Sequence, residues 1–204
     1  MKDFWDERYK QNDYAYGKNP NEYLKSKLED FEPGVILFPA EGEGRNSVFA
    51  AKKGWKVSAF DISAEGKKKA LRLAEEEGVE INYHTTPLSS LGYCKNQFDA
   101  IALIYAHLQP DERKDYFGFF TQILKNNGKI IFEGFSKKHL EYQAKYPNVG
   151  GPKEERMLFS EKEIKEAFAD LDFLEFYEGE IDLNEGEFHK GKGWVIRFVA
   201  QKKS

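Results

Sequence analysis

The chain of 204 residues is close to the usual size of one globular domain and long enough to bury a substantial core, so a single domain over 1–204 is expected. Its net charge of -4 gives no electrostatic reason to gather nucleic acid, and no apolar run approaches the ~20 residues that span a bilayer. A lone cysteine, Cys94, excludes an internal disulfide, and the charged opening Met1–Arg8 lacks the apolar core of a signal peptide, so the expected location is the cytoplasm.

Along the chain, residues 1–30 carry a dense aromatic and cationic group, Trp5, Arg8, Tyr14 and Tyr16. Val35–Phe38 is apolar on both faces and predicts a buried strand. A glycine-bearing turn, Pro39-Ala-Glu-Gly-Glu-Gly44, then hands over to a helix at Ser47–Lys53 that Gly54 stops. Val57–Phe60 predicts a second strand ending at Asp61, and Ala64–Glu77 an amphipathic helix closed by Gly78. Ile81–His84 offers a short strand. Phe98–Tyr105 is the most apolar run and predicts a central strand, followed by a helix at Asp111–Leu124 that Gly128 caps. Lys129–Phe135 predicts a strand and Ser160–Ala169 a helix. Phe173–Ile181 and Trp194–Ala200 predict a terminal antiparallel pair joined by the glycine-rich segment Asn184–Gly193. The polar stretch Lys137–Glu155 is long enough for a lid or substrate loop, and reads equally as a passive excursion.

This βαβα order ending in two strands implies an open, mostly parallel sheet whose ligand site lies at the carboxyl ends of its strands. The loops after Phe38, Phe60, His84 and Tyr105 converge there. Two spaced glycines occur in many turns, but Gly42 and Gly44 joined to an acid at the end of the next strand favour an adenosine-containing cofactor. Asp61 either accepts hydrogen bonds from a ribose or caps the following helix, and the first reading is preferred. A pyrophosphate would sit poorly beside Glu41 and Glu43, and the third glycine of a dinucleotide fingerprint is missing near Ser47. A cofactor with a positive sulfonium and no phosphate suits those acids better.

Gly42-Glu-Gly-Arg-Asn46, with Asp61-Ile-Ser63, Phe98-Asp-Ala-Ile101 and Leu124–Ile130, resembles the S-adenosylmethionine-dependent methyltransferases of the Rossmann-like type. Phe4–Tyr9, Tyr14–Gly17 and Pro20–Leu24 further resemble the tellurite-resistance and thiopurine methyltransferase branch. The resemblance covers nearly the whole chain. It implies a three-layer α/β fold with a mostly parallel seven-stranded sheet ending in an antiparallel hairpin, and methyl transfer from S-adenosylmethionine to a small-molecule acceptor. It implies that residues 1–30 cover the cofactor through Trp5, Arg8 and Tyr16, and that the glycine loop holds it through Pro39, Ala40, Gly42, Gly44, Arg45 and Asn46. The other implied cofactor residues are Asp61 and Ile62, Thr86 and Pro87, and Tyr105 and Ala106.

His107 follows the central strand, where such enzymes carry a similar histidine; it is the candidate to take a proton or orient the acceptor, and otherwise a loop histidine bonding the backbone. His189 reads as a plain hairpin histidine. Four histidines and one cysteine without ligand spacing predict no metal site.

Three positions depart from the family pattern: Phe38 stands for an acid, Ala40 for a glycine, and Thr85-Thr-Pro-Leu88 for a segment bearing an acid. Two other functions stay open on these residues, a cofactor-binding protein without catalysis and a nicotinamide-dependent oxidoreductase. A nucleic-acid methyltransferase is disfavoured by the acidic chain and the lack of a basic stripe.

Overall fold

In the computed structural model, which describes residues 1–86 and 90–204, side chains of the central strands alternate between two cores as the period of two requires. Along β1 (Val35–Pro39), Leu37 enters one core and Ile36 and Phe38 the other; along β4 (Phe98–Ile104), Ile101 and Leu103 oppose Ala100 and Ala102. The first core is closed by Phe117, Phe120 and Ile123 of α5 (Pro110–Ile123) and by Ile164 of α7 (Glu161–Ala167). The second is closed by Leu24 and Leu28 of α2 (Glu22–Asp30), Ala50 of α3 (Arg45–Lys52) and Ala70 of α4 (Ala64–Glu76). The result is a sheet with helices on both faces.

The sheet has seven strands in the order β3-β2-β1-β4-β5-β7-β6, with β2 at Lys56–Phe60, β3 at Asn82–His84, β5 at Leu124–Phe135, β6 at Leu171–Glu185 and β7 at His189–Lys202. Strands β1 to β5 run parallel, and β7 is antiparallel to both neighbours, as expected for the fold class. The chain leaves β1 toward β2 and β3 and returns to β4 on its other side, which puts the topological switch between β1 and β4.

Four boundaries differ from the sequence reading. The central helix ends at Ile123, and Leu124 already pairs with Phe98; the next described pair is Lys129 with Ala100, so Lys125–Gly128 bulge out between them. Asn127, at φ 62, takes the left-handed turn there, and Gly128 is not a helix cap. The terminal hairpin is longer than expected: β6 and β7 pair down to Glu185 and His189, and only Gly186–Phe188 lie outside the strands. The stretch 137–155 contains α6 (His139–Lys145), and Gln143 donates to the carbonyls of Gly150 at 2.6 Å and Gly151 at 3.0 Å. Residues 1–30 form two helices, α1 (Lys2–Tyr9) and α2, that periodicity did not predict. Among the described residues no helix is long and apolar enough to cross a membrane.

Candidate functional site

The turn after β1 keeps a left-handed backbone at Ala40 (φ 52), Gly42 (φ 64) and Gly44 (φ 89). Ala40 therefore preserves the conformation that glycine usually supplies, against the steric cost of its Cβ. The glycines do different work. A Cβ on Gly44 would lie 2.5 Å from that of Ala70, so this glycine lets α4 pack on the loop. A Cβ on Gly42 would lie 2.6 Å from the hydroxyl of Tyr9, so this one admits α1.

Asp61, at the end of β2, joins the two turns of the site. One carboxylate oxygen accepts from Gly42 N–H at 3.0 Å and the other from Ser63 N–H at 2.8 Å. The cap of α4 is Ser63, whose hydroxyl accepts from Gly66 N–H at 3.0 Å, so Asp61 is not the cap, and its buried carboxylate ties the turn after β1 to the turn after β2.

The two glutamates of the loop do not face a ligand. Glu41 is buried and accepts from Ser47 N–H at 2.6 Å at the start of α3. Glu43 pairs with Lys69 at 2.6 Å and accepts from Ala15 N–H at 2.8 Å, which straps the N-terminal segment to the loop. Both carboxylates are satisfied inside the protein.

Arg45 and Asn46 also hold that segment. Arg45 reaches the carbonyls of Asn19 at 3.4 Å and Tyr16 at 3.5 Å, and Asn46 accepts from Asn21 N–H at 2.9 Å. Arg8 donates to the Tyr16 hydroxyl at 3.0 Å and lies over the rings of Phe188, at 4.3 Å, and Trp5, at 5.6 Å. Pro39 and Ala106 are buried, Ile62 and Thr86 are exposed at the rim, and Pro87 lies outside the described residues.

A buried polar network that sequence reasoning missed completes the site. Asn21 caps α2 through Oδ1 and donates through Nδ2 to both Glu133 and Glu185, at 2.9 Å each. Glu185 accepts from Arg45 at 2.8 Å and from His189 Nδ1 at 3.1 Å, while Arg197 pairs with Glu133. Burial alone would raise the Glu185 carboxyl; Arg45 and His189 override it and hold the group down at about 2. The one available signal was Glu133, a charge inside an apolar strand, which is rare unless paired.

Both histidines of interest are held inside the protein by specific partners. His107 stacks between Phe135, at 5.7 Å, and Phe159, at 5.0 Å. Its Nδ1 donates to Met157 C=O at 3.0 Å and its Nε2 accepts from Phe135 N–H at 3.4 Å, so both ring nitrogens are engaged. Burial, only partly offset by Met157, drops its pKa to about 3. His189 is 4% exposed, far from the plain hairpin histidine expected, and packs against the rings of Tyr105 at 4.6 Å and Tyr16 at 4.7 Å. Its Nδ1 faces Glu185, and its Nε2 has no hydrogen-bond partner among the described residues. Burial lowers its pKa, against the pull of Glu185.

Between the Tyr16–Glu22 segment, the end of β5 and the hairpin lies a cavity of about 220 Å³. Tyr105 borders it at φ 52, with a buried hydroxyl that has no hydrogen-bond partner among the described residues. Among the described residues no cluster of His, Cys, Asp and Glu suits a metal ion.

Residues 36–128 match the family described as "Methyltransferase domain". No curated protein matches the chain. Among solved structures, one from work on the conversion of a disulfide bond into a thioacetal group during echinomycin biosynthesis is 14% identical with a TM-score of 0.79, covering 100% of this chain and 92% of that one. TehB from Haemophilus influenzae is 18% identical with a TM-score of 0.72, over 99% of this chain and 67% of its own. Magnesium protoporphyrin IX methyltransferase from Synechocystis PCC 6803, solved with bound SAH, is 16% identical with a TM-score of 0.64, over 88% and 81%. The family match over residues 36–128 and the fold are those of a methyltransferase, and the cofactor that goes with them is S-adenosylmethionine.

Proposed function

We propose that this methyltransferase acts on a small-molecule acceptor, with S-adenosylmethionine on the Ala40–Gly44 turn and the acceptor in the cavity beside Tyr105. The observation that carries the reading is the 3.0 Å hydrogen bond from Gly42 to Asp61, which fixes the turn after β1 to the acid ending β2 beside the topological switch. When bound, the cofactor supplies an electrophilic methyl group on a good leaving group, so the protein's task is alignment and exclusion of water.

The residues present suit that cofactor. The left-handed turn survives the change to Ala40, and each oxygen of Asp61 keeps a second lone pair for ribose hydroxyls. Trp5, Arg8 and Tyr16 would cover it, Ile62 and Thr86 would flank its base, and Tyr105 and Ala106 would bound its reacting end.

His189 does not line the cavity: Glu185 takes its Nδ1–H, its Nε2 faces Gly150, and its ring backs Tyr16 and Tyr105, so it serves as a support of the cavity wall. His107 has no free nitrogen and serves the packing of Phe135 and Phe159. The N-terminal motifs and the likeness to TehB support the tellurite-resistance branch.

The test is calorimetric titration with S-adenosylhomocysteine, with a nicotinamide dinucleotide in a parallel run. Binding of the first alone is expected, weakened at least about tenfold in Asp61→Ala through loss of a charge-assisted ribose contact. Binding of the dinucleotide alone, or an unchanged affinity in Asp61→Ala, overturns the assignment.

A further inference from the structure

The cavity beside Tyr105 has a chemical bias. Its ionisable walls are Glu22, Arg45, Glu133, Asp182, Glu185 and Arg197, four carboxylates against two guanidiniums. Both guanidiniums are engaged: Arg45 by Glu185 and two main-chain carbonyls, Arg197 by Glu133 and by the ring of Tyr23, 5.2 Å from its centroid. The amide of Asn21 is consumed as well, since its Nδ2 donates to both Glu133 and Glu185. An anion entering here meets a net negative wall and no unpaired cation. The pairs Arg45–Glu185 and Arg197–Glu133 offset one another, so a cation meets the net charge of Glu22 and Asp182, the remaining lone pairs of Glu133 and Glu185, the phenol rings of Tyr16 and Tyr105, and a Tyr105 hydroxyl with no hydrogen-bond partner among the described residues. The volume, about 220 Å³, lies below the roughly 300–1,000 Å³ of sites for drug-sized ligands, so the occupant is small.

Resting on the methyltransferase reading above, we propose that the acceptor is a small primary or secondary amine, recognised in this cavity as its ammonium form by Glu185, Glu133 and the rings of Tyr16 and Tyr105. For transfer, the ammonium yields one proton to solvent. The freed nitrogen lone pair then forms the N–C bond to the methyl carbon while the C–S bond breaks and its electron pair stays on sulfur. The product leaves as an N-methylammonium.

The test uses three probes of equal length, n-butylamine, butyrate and 1-butanol, titrated by calorimetry and by NMR into the full chain at neutral pH with and without saturating S-adenosylhomocysteine. Butylammonium is expected to bind at least about tenfold tighter than either analogue, given the charge difference across a partly desolvated site. Asp182→Asn with Glu22→Gln, both exposed at the rim, is expected to weaken butylammonium about fivefold and leave S-adenosylhomocysteine unaffected. Butyrate or butanol binding as tightly as the amine, or no amine binding by a protein that binds S-adenosylhomocysteine, overturns the proposal alone. A protein that does not bind S-adenosylhomocysteine overturns the cofactor reading and the N-methylation with it.

Discussion

Arg45, which opens the helix behind the glycine turn, donates to Glu185 at the tip of the terminal hairpin across 2.8 Å, and both side chains are about nine-tenths buried. This pair couples the turn after β1 to the wall of the cavity beside Tyr105. Removing one member strands a charge, which costs about 3–5 kcal/mol, whereas replacing both by apolar residues is close to neutral. Glu185→Leu is therefore expected to be the costlier single change, because Glu185 keeps Asn21 and His189 when the arginine is lost. Arg45→Met with Glu185→Leu should recover most of the loss. Urea unfolding of the two single variants and the double variant measures the coupling.

Ala40 sits at φ 52, a conformation that costs an alanine about 1–2 kcal/mol. Glycine removes that cost but gives back about 0.4–1 kcal/mol through the freer unfolded chain. Ala40→Gly should raise the unfolding midpoint by a net gain of about 0.5–1 kcal/mol. A fall in midpoint would show that the alanine methyl contributes packing that outweighs its strain.

Burial raises the Glu41 carboxyl from 4.5 to about 7, against the opposing hydrogen bonds from Ser47. The unfolded chain releases this proton near 4.5 while the folded protein holds it to about 7. The contribution to stability is thus fully present below the lower value and is lost as pH rises through the window, by up to about 3 kcal/mol. Glu41→Gln should flatten the stability profile there, a difference read by unfolding at about pH 5 and about pH 7.5. Glu185 acts in the opposite sense, with its contribution lost as pH falls from 4.5 toward about 2.

Both histidines should act through packing. His189→Asn is expected to change kcat less than about tenfold and to cost about 1–3 kcal/mol of stability, since it disturbs the hydrogen bond to Glu185 and the contacts with Tyr16 and Tyr105. His107→Phe should leave kcat near the parent value but cost about 1–3 kcal/mol, since it leaves Met157 C=O and Phe135 N–H unpaired. Initial rates with an amine that supports turnover, alongside unfolding midpoints, check both.

Much of this protein is legible in its residues because the signals are local. The apolar period of Val35–Phe38 and Phe98–Tyr105 fixes buried strands, and positive-φ requirements at Gly42 and Gly44 mark the turn. Asp61 follows from its place at the end of a strand, and the sheet class follows from the order of these elements. Three-dimensional packing decided the rest. Nothing in the neighbourhood of His189 distinguishes a buried residue from a turn histidine until Glu185, Tyr16 and Tyr105 close around it. Likewise, Asn21, Arg45, Glu133, Glu185 and Arg197 lie on five separate stretches of chain and form one network only when β7 inserts antiparallel beside β5. Backbone preference and hydrophobic period act over a few residues and are written in the sequence. The charge pairing that shapes the cavity beside Tyr105 depends on distances between remote segments, which exist only once the sheet has been ordered and the hairpin folded back.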